Sequence, residues 1–194
     1  MRVLVTGAAG SIGTILLPGL TARGHEVIGL DRSTAPDGSD TAWYAVDCTD
    51  PDAVEAVFVD LARSGGIEAV VHLAGIPTEA SLTEELDSHV VSTAALLDAM
   101  VRHGVDRIVY ASSNHAVGRT PRTDLLTTDV RPRPDTFYGV PRSPPRRCSA
   151  CTSTGTASTR WRCASGRSCR SPRPGVACPP GSPTTTPSGW STPR

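Results

Sequence analysis

Val3-Leu4-Val5-Thr6-Gly7-Ala8-Ala9-Gly10-Ser11-Ile12-Gly13 opens the chain with a short apolar run, three glycines and the start of a helical pattern. That order suits a strand, a tight turn and a helix whose N-terminus faces an anion. Free backbone N–H groups and the positive end of the helix dipole converge there. Glycine permits the sharp turn, lets the main chain approach a diphosphate and lets helix and strand pack closely. The spacing is G-x-x-G-x-x-G rather than the commoner G-x-G-x-x-G, and a glycine-rich turn can also close a hairpin. Its place after a strand and before a helix points instead to a dinucleotide, with Gly7, Gly10, Ser11, Ile12 and Gly13 around the diphosphate.

Outward from that turn, strands and helices alternate. Residues 2–6 form the expected first strand, and 11–23 a helix carrying Ile12, Ile15, Leu16 and Leu20 on one side, kinked at Pro18 and stopped by Gly24. Glu26 to Leu30 is the second strand, and Asp31 follows it, 24 positions after Gly7. A carboxylate there accepts hydrogen bonds from the adenosine ribose hydroxyls and repels a phosphate on that ribose, which favours NAD over NADP. Arg32 argues the other way, since an arginine can hold that phosphate, and Asp31 also reads as a plain turn residue.

Trp43 to Val46 is a third strand ending in Asp47, which either touches the adenine amino group or starts the next turn. A helix over 51–63 follows, with Pro51 in its first turn and Asp50 as its cap. Glu68 to Leu73 is an apolar run of the kind buried on both faces, and Ala74-Gly75 after Leu73 lets a cofactor ribose come close. A helix from Ser81 to His103, stopped by Gly104, leads to a fifth strand over Asp106 to Ala111. The alternation predicts an α/β fold with a doubly wound parallel sheet. Ligands of such sheets lie beyond the carboxyl ends of the strands. The glycine turn, Asp31, Leu73 to Gly75 and Ser112-Ser113-Asn114-His115 all fall there.

The chain has 194 residues, enough for one domain with a proper core, and a formal net charge of zero. That zero hides a division. The first 140 residues hold 10 arginines and all 19 acids, a balance of −9, whereas Pro141 to Arg194 holds 9 arginines and no acid. There is no lysine. No apolar run is long enough for a bilayer and the start lacks the form of a signal peptide, so the expected location is the cytoplasm. Five of the six cysteines lie beyond residue 140, and Cys48 reads as a reduced, packed thiol.

Tyr138-Gly139-Val140 comes 25 positions after Ser113. With the glycine turn, Asp31, Leu73-Ala74-Gly75 and Ser112-Ser113-Asn114-His115, it makes residues 1–140 resemble the extended short-chain dehydrogenase/reductase superfamily. Within it, the similarity is greatest to the NAD-dependent uronate dehydrogenases. The resemblance implies hydride transfer from C1 of a cyclic hexuronate, galacturonate or glucuronate, to NAD, giving an aldarolactone. It also implies Tyr138 as general base, Ser113 hydrogen-bonded to the same oxygen, and Asn114 and His115 orienting the sugar. The bland alternatives are a serine pair that caps a turn, a loop histidine and an interface tyrosine.

Two positions depart from the family pattern. His89 aligns with an asparagine in the helix after the fourth strand. Arg142 stands where the family's Tyr-x-x-x-Lys has its lysine, among Pro141, Pro144 and Pro145, and nothing in the sequence places it on Tyr138. Pro141 to Arg194 contains no Leu, Ile, Met, Phe or Tyr and cannot offset its ordering entropy by burial, so it reads as an unstructured basic tail after a domain over 1–140. Back-translation offers a sharper reading. Pro141 to Thr152 can be written in GC-rich synonymous codons that, begun one base earlier with a T, give Ser-Lys-Val-Ala-Ala-Glu-Ala-Leu-Gln-Arg-Leu-Tyr, and the same shift across Thr159 to Arg170 can give Asp-Ala-Val-Ala-Leu-Arg-Ile-Gly-Ser-Phe-Leu-Pro. The first restores a lysine four places after Tyr138 on an amphipathic helix; the second is a good buried strand. A frameshift at codon 141, with impaired activity, is therefore expected.

Cys148-x-x-Cys151 with Cys163 and Cys169 suggests zinc only weakly, and no metal is expected. The expected partner is a small sugar acid, with no nucleic acid and no membrane; a homo-oligomer is left open. Rival functions are a nucleotide-sugar epimerase or dehydratase, a non-catalytic NAD-binding remnant, and nucleic-acid binding by the tail. The tail lacks interleaved aromatics apart from Trp161 and Trp190.

Overall fold

The computed structural model describes residues 1–127 and 130–143. Five strands, β1 (Arg2–Thr6), β2 (Glu26–Asp31), β3 (Ala42–Ala45), β4 (Ala69–His72) and β5 (Ile108–Tyr110), form one sheet in the order β3-β2-β1-β4-β5. Every pairing is parallel. α1 (Gly13–Thr21) links β1 to β2 and α2 (Pro51–Arg63) links β3 to β4. A three-part helix, α3 (Leu82–Leu86), a π-helical turn (Asp87–Val91) and α4 (Ser92–Arg102), leads to β5. This is the doubly wound sheet that the alternation implies.

Successive side chains of a strand point to opposite faces, and β1 shows what that does here. Val3 and Val5 join Val27 and Leu17 in the cluster under α1, while Leu4 joins Ile28, Leu30, Phe58 and Met100 in the larger cluster under α2 and α4. α2 forms where its cap and stripe agree. Asp50 accepts from the N–H groups of Asp52 (3.0 Å) and Ala53 (3.1 Å), Pro51 occupies the first turn, and Val54, Val57, Phe58 and Leu61 are buried at helical spacing.

Three expectations need correction. α1 buries Gly13 and Leu17, with Leu16 and Leu20 packed beside them, whereas Ile12 and Ile15 are 59% and 77% exposed. The face that meets the sheet runs through Gly13 and Leu17, four residues apart, and Ile12 and Ile15 lie off it. Pro18 sits inside α1, and the helix continues past it to Thr21. The helix expected over 81–103 is not uniform: a capping box between Ser81 and Glu84 starts it, and the π turn interrupts it at Asp87–Val91. β5 is shorter than its apolar run, forms the sheet edge, and leaves Val109 54% exposed.

The amino ends of three strands are tied by one side chain. Arg2 Nε donates to Glu26 Oε1 (2.7 Å), and its Nη1 donates to the carbonyls of Ser64 (2.7 Å) and Gly66 (2.8 Å). Its backbone N–H donates to Glu68 Oε2 at 2.8 Å. Cys48 is a free, buried thiol that burial pushes up to about 12, so it packs as a hydrophobe. Among the described residues no helix is long and apolar enough to cross a membrane, and no cluster of His, Cys, Asp and Glu could hold a metal ion. Pro141 and Arg142 are buried against the body. The remainder of the expected tail, with Cys148, Cys151, Cys163 and Cys169, lies outside the described residues.

Phe58 is 1% exposed at the centre of the larger cluster. Phe58→Ala is expected to cost about 3–5 kcal/mol through lost burial and a cavity, read as a lowered urea midpoint at unchanged slope.

Candidate active site

A cleft of about 600 Å³ runs along the carboxyl ends of the strands. Its floor is the glycine turn. Gly7 has φ +68°, and a Cβ there would lie 2.6 Å from the backbone N of Ala74. A Cβ on Gly13 would lie 2.5 Å from the carbonyl oxygens of Gly7 and Ala8. Both positions therefore need glycine for main-chain packing alone. Gly10, Ser11 and Ile12 line the cleft, and the Ser11 and Ile12 N–H groups have no partner among the described residues.

Asp31 ends β2 and faces the turn. Its Oδ2 accepts from Ala9 N–H and its Oδ1 from Ser33 N–H, both at 3.0 Å. The two readings of Asp31 are thus compatible: it closes a turn and presents a carboxylate to the cleft. Asp47 behaves alike. Its Oδ1 accepts from the N–H and the hydroxyl of Thr49, both at 2.8 Å, and those bonds hold its carboxyl below the usual range while it lines the cleft. Arg32 stands beside them on the same wall.

Leu73, Ala74 and Gly75 form the wall after β4. Behind it lies a buried chain of hydrogen bonds that sequence reasoning missed. Ala74 N–H donates to Thr6 Oγ1 (3.3 Å), which meets His72 Nδ1 at 2.6 Å; His72 Nε2 meets Thr93 Oγ1 at 3.2 Å, and Thr93 donates to the carbonyl of His89. Because the Thr93 proton goes to that carbonyl, its oxygen accepts from His72 Nε2–H, and Nδ1 accepts from Thr6. A neutral imidazole satisfies every bond. Burial holds His72 down to about 3. The signal available in the sequence was a histidine inside an apolar strand.

Gly75 was expected to admit a cofactor ribose. A Cβ there would lie 2.0 Å from His89 Cε1, so the glycine makes room for that imidazole. His89 is buried on the π turn, with Nε2 3.3 Å from Glu85 Oε2 but without hydrogen-bond alignment. Burial and the Arg142 charge push His89 down to about 4, and burial raises the Glu85 carboxyl.

Tyr138 lines the same cleft as the glycine turn, gripped from several sides. His89 and His115 meet its ring edge-on at 5.9 Å and 5.8 Å between centroids, both at 83°. Arg142 Cζ lies 4.7 Å from its centroid. Nothing in the sequence placed Arg142 on Tyr138; the structure does, because Arg142 Nη1 donates to the carbonyl of Ala111 (2.7 Å) and Ser112 Oγ donates to the Arg142 carbonyl (3.1 Å). Those two bonds fold the 138–142 turn onto the end of β5. Glu79, also missed, accepts from the N–H groups of Phe137 (2.8 Å) and Tyr138 (3.4 Å).

Ser113 caps the 3-10 turn Asn114–Val117: its Oγ accepts from His115 N–H and donates to Asn114 Oδ1, both at 3.2 Å. His115 Nδ1 pairs with Asp135 Oδ1 at 2.9 Å. Ser112, Tyr138 and Arg142 line the cleft; Ser113, Asn114 and His115 are outside that lining, with the His115 ring against Tyr138.

The model of the NAD dependent epimerase/dehydratase family matches residues 3–142. Uronate dehydrogenase of Agrobacterium fabrum is 36% identical over 141 residues, covering 72% of this chain and 51% of that protein. The crystal structure of uronate dehydrogenase from Agrobacterium tumefaciens superposes with a TM-score of 0.63 at 37% identity, over 73% of this chain and 51% of that one. UDP-glucose 4-epimerase of Thermus thermophilus, solved in complex with NAD, gives a TM-score of 0.71 at 26% identity, over 84% of this chain and 54% of that one. The chain spans about half the length of these relatives.

The two buried imidazoles set a pH dependence. Both are held below their ordinary 6.5, His89 near 4 and His72 near 3, so between those values the unfolded chain binds protons that the folded one does not. Stability is expected to fall as pH drops from about 6.5 towards 4; Glu85, raised by burial, works in the opposite sense. His72→Gln is expected to flatten the imidazole share of the slope, checked by urea midpoints at pH 7 and pH 5.

Proposed function

We propose that this chain, which belongs to the NAD-dependent epimerase/dehydratase family, is built for NAD-dependent oxidation of a hexuronate at C1, giving an aldarolactone. One observation carries the reading: a single cleft joins the glycine turn and Asp31 to Tyr138. The residues fit the cofactor. Two N–H groups at the start of α1 are free for an anion, on a turn that Gly7 and Gly13 pack tightly against the strand ends. Asp31 has carboxylate lone pairs left for ribose hydroxyls after its two backbone bonds, and Asp47 stands near for the adenine. Leu73, Ala74 and Gly75 would flank the nicotinamide end.

NAD, when bound, supplies the hydride acceptor. The chain's own groups supply the rest. Tyr138 takes the proton of the C1 hydroxyl as general base, and its ring is held by His89, His115 and Arg142. The family resemblance gives Ser113 to the same oxygen and Asn114 and His115 to the sugar; none of the three lines the cleft and Ser113 Oγ is bonded to Asn114, so the proposal rests on Tyr138. The carboxylate on Asp31 disfavours a ribose phosphate, so NAD is preferred over NADP.

The composition after Pro141 supports a second inference: the open reading frame changes at codon 141, and substrate-side residues are replaced by arginine, proline and serine. Turnover by this chain is accordingly low. Sequencing the gene across codon 141 checks it; a gene with no second frame encoding the lysine and the helix refutes it.

Calorimetry of the full chain is expected to show NAD binding stronger than NADP binding. Asp31→Ala should weaken NAD by roughly 10- to 100-fold, the worth of hydrogen bonds to a charged group, with galacturonate turnover near background throughout. A folded chain that gives no heat with either dinucleotide refutes the reading.

A further inference from the structure

On either side of Tyr138, Phe137 and Val140 are 54% and 38% exposed, so burial of those side chains does little to hold the turn. Polar bonds to its main chain do more. Gly139 N–H donates to Thr136 Oγ1 at 3.0 Å, a cap from within the turn. The two N–H groups ahead of it are met from elsewhere. Phe137 N–H donates to Glu79 Oε1 at 2.8 Å, and Tyr138 N–H points at both Glu79 oxygens at 3.4 Å. Glu79 forms no ion pair among the described residues. Its carboxylate is committed to the turn that carries the phenol, 58 and 59 positions away in sequence.

The loop that presents Glu79 is itself fastened at both ends. Ile76 N–H donates to Ser88 Oγ at 2.8 Å, and Ala80 N–H donates to Oε1 of the buried Glu85 at 3.0 Å. Pinned N–H groups on both sides of Glu79 leave its backbone little freedom, so less ordering entropy is lost when its carboxylate engages the turn. Ile76 and Pro77 of the same loop line the cleft. We infer that Glu79 is a positioning residue: it ties the loop after β4 to the turn that bears Tyr138, and so fixes where the phenol stands in the cleft. The inference rests on the reading of Tyr138 as general base. A base works only from a fixed place within hydrogen-bond reach of the proton it takes. A carboxylate accepts more strongly from N–H groups than a neutral oxygen does, and the length of a glutamate lets it reach them. Glu79, Glu85, Ser88 and the Thr136–Gly139 turn all precede codon 141, so this anchor is encoded ahead of the proposed frame change.

The test reads the turn directly and needs no turnover. The full chain carries 3-fluorotyrosine at its three tyrosines, Tyr44, Tyr110 and Tyr138, and Tyr138→Phe identifies the line of the third. In Glu79→Ala, amide exchange at Phe137 and Tyr138 is expected to speed up roughly 10- to 100-fold, while the amides of β1 and α2 keep their protection. The Tyr138 fluorine line is expected to move and those of Tyr44 and Tyr110 to stay. Glu79→Asp keeps the charge but shortens the reach, and should behave like Glu79→Ala. Glu79→Gln keeps the reach and an oxygen acceptor, and should restore most of the protection and the line. Should Glu79→Ala fail to fold, the contrast between Glu79→Asp and Glu79→Gln decides. Unchanged amides at Phe137 and Tyr138, an unmoved Tyr138 line, a loss of protection spread over β1 and α2, or Glu79→Asp closer to wild type than Glu79→Gln overturns the proposal. All of this is read without cofactor. Absence of NAD heat would sink the dehydrogenase reading and leave the anchor standing, whereas unchanged amides would sink the anchor alone.

Discussion

The structure depends on one main-chain crossing, where the turn after β1 passes against the turn after β4. Gly7 stands there with φ +68°, so close to Ala74 that any Cβ would collide with backbone rather than with a side chain that could move. Backbone cannot yield as a rotamer can, so a side chain at position 7 would pry the two strand ends apart. The wall of the cleft formed by Leu73 to Gly75 is therefore registered directly on the glycine turn. Ala74 also starts the hydrogen-bond chain through Thr6, His72 and Thr93 to the carbonyl of His89. His89 in turn packs on Tyr138. The position of the phenol is thus tied, through buried neutral groups, to the turn proposed to hold the cofactor.

The π turn carries the last member of that chain. A uniform α-helix from Ser81 to His103 would set each side chain by the 3.6-residue period alone. The wide turn at Asp87–Val91 brings the His89 ring against Gly75 and its carbonyl to Thr93. Gly75 and His89 form one packing unit, since the glycine is small where the imidazole is large.

Much of this was legible from residues in order. The five strands and α2 followed from period, caps and glycines because those signals are local. The carboxyl-rim positions followed from topology. What the sequence could not supply were contacts between residues far apart. Arg142 looked stranded among prolines because sequence spacing says nothing about the Ala111 carbonyl, 31 positions earlier, that anchors it. The exposure of Ile12 and Ile15 was hidden for a related reason: a helix of nine residues carries too short a pattern to say which of two apolar stripes meets the sheet. The network through His72 lay in an apolar run, where one histidine gives no hint of two threonine partners from other elements.

The two rims of the sheet are held in different ways. At the amino rim, Arg2 alone reaches Glu26, Ser64 and Gly66, and its own N–H reaches Glu68. At the carboxyl rim, the groups that face the cleft belong to turns, several of them tied across the sheet, as Asp31 is to Ala9 and Arg142 to Ala111. Inherited variation is therefore filtered by position within each rim: a change at Gly7 or at Arg2 is felt by more than one strand, whereas Asp47, bonded to Thr49 two residues on, can vary with less effect on the sheet.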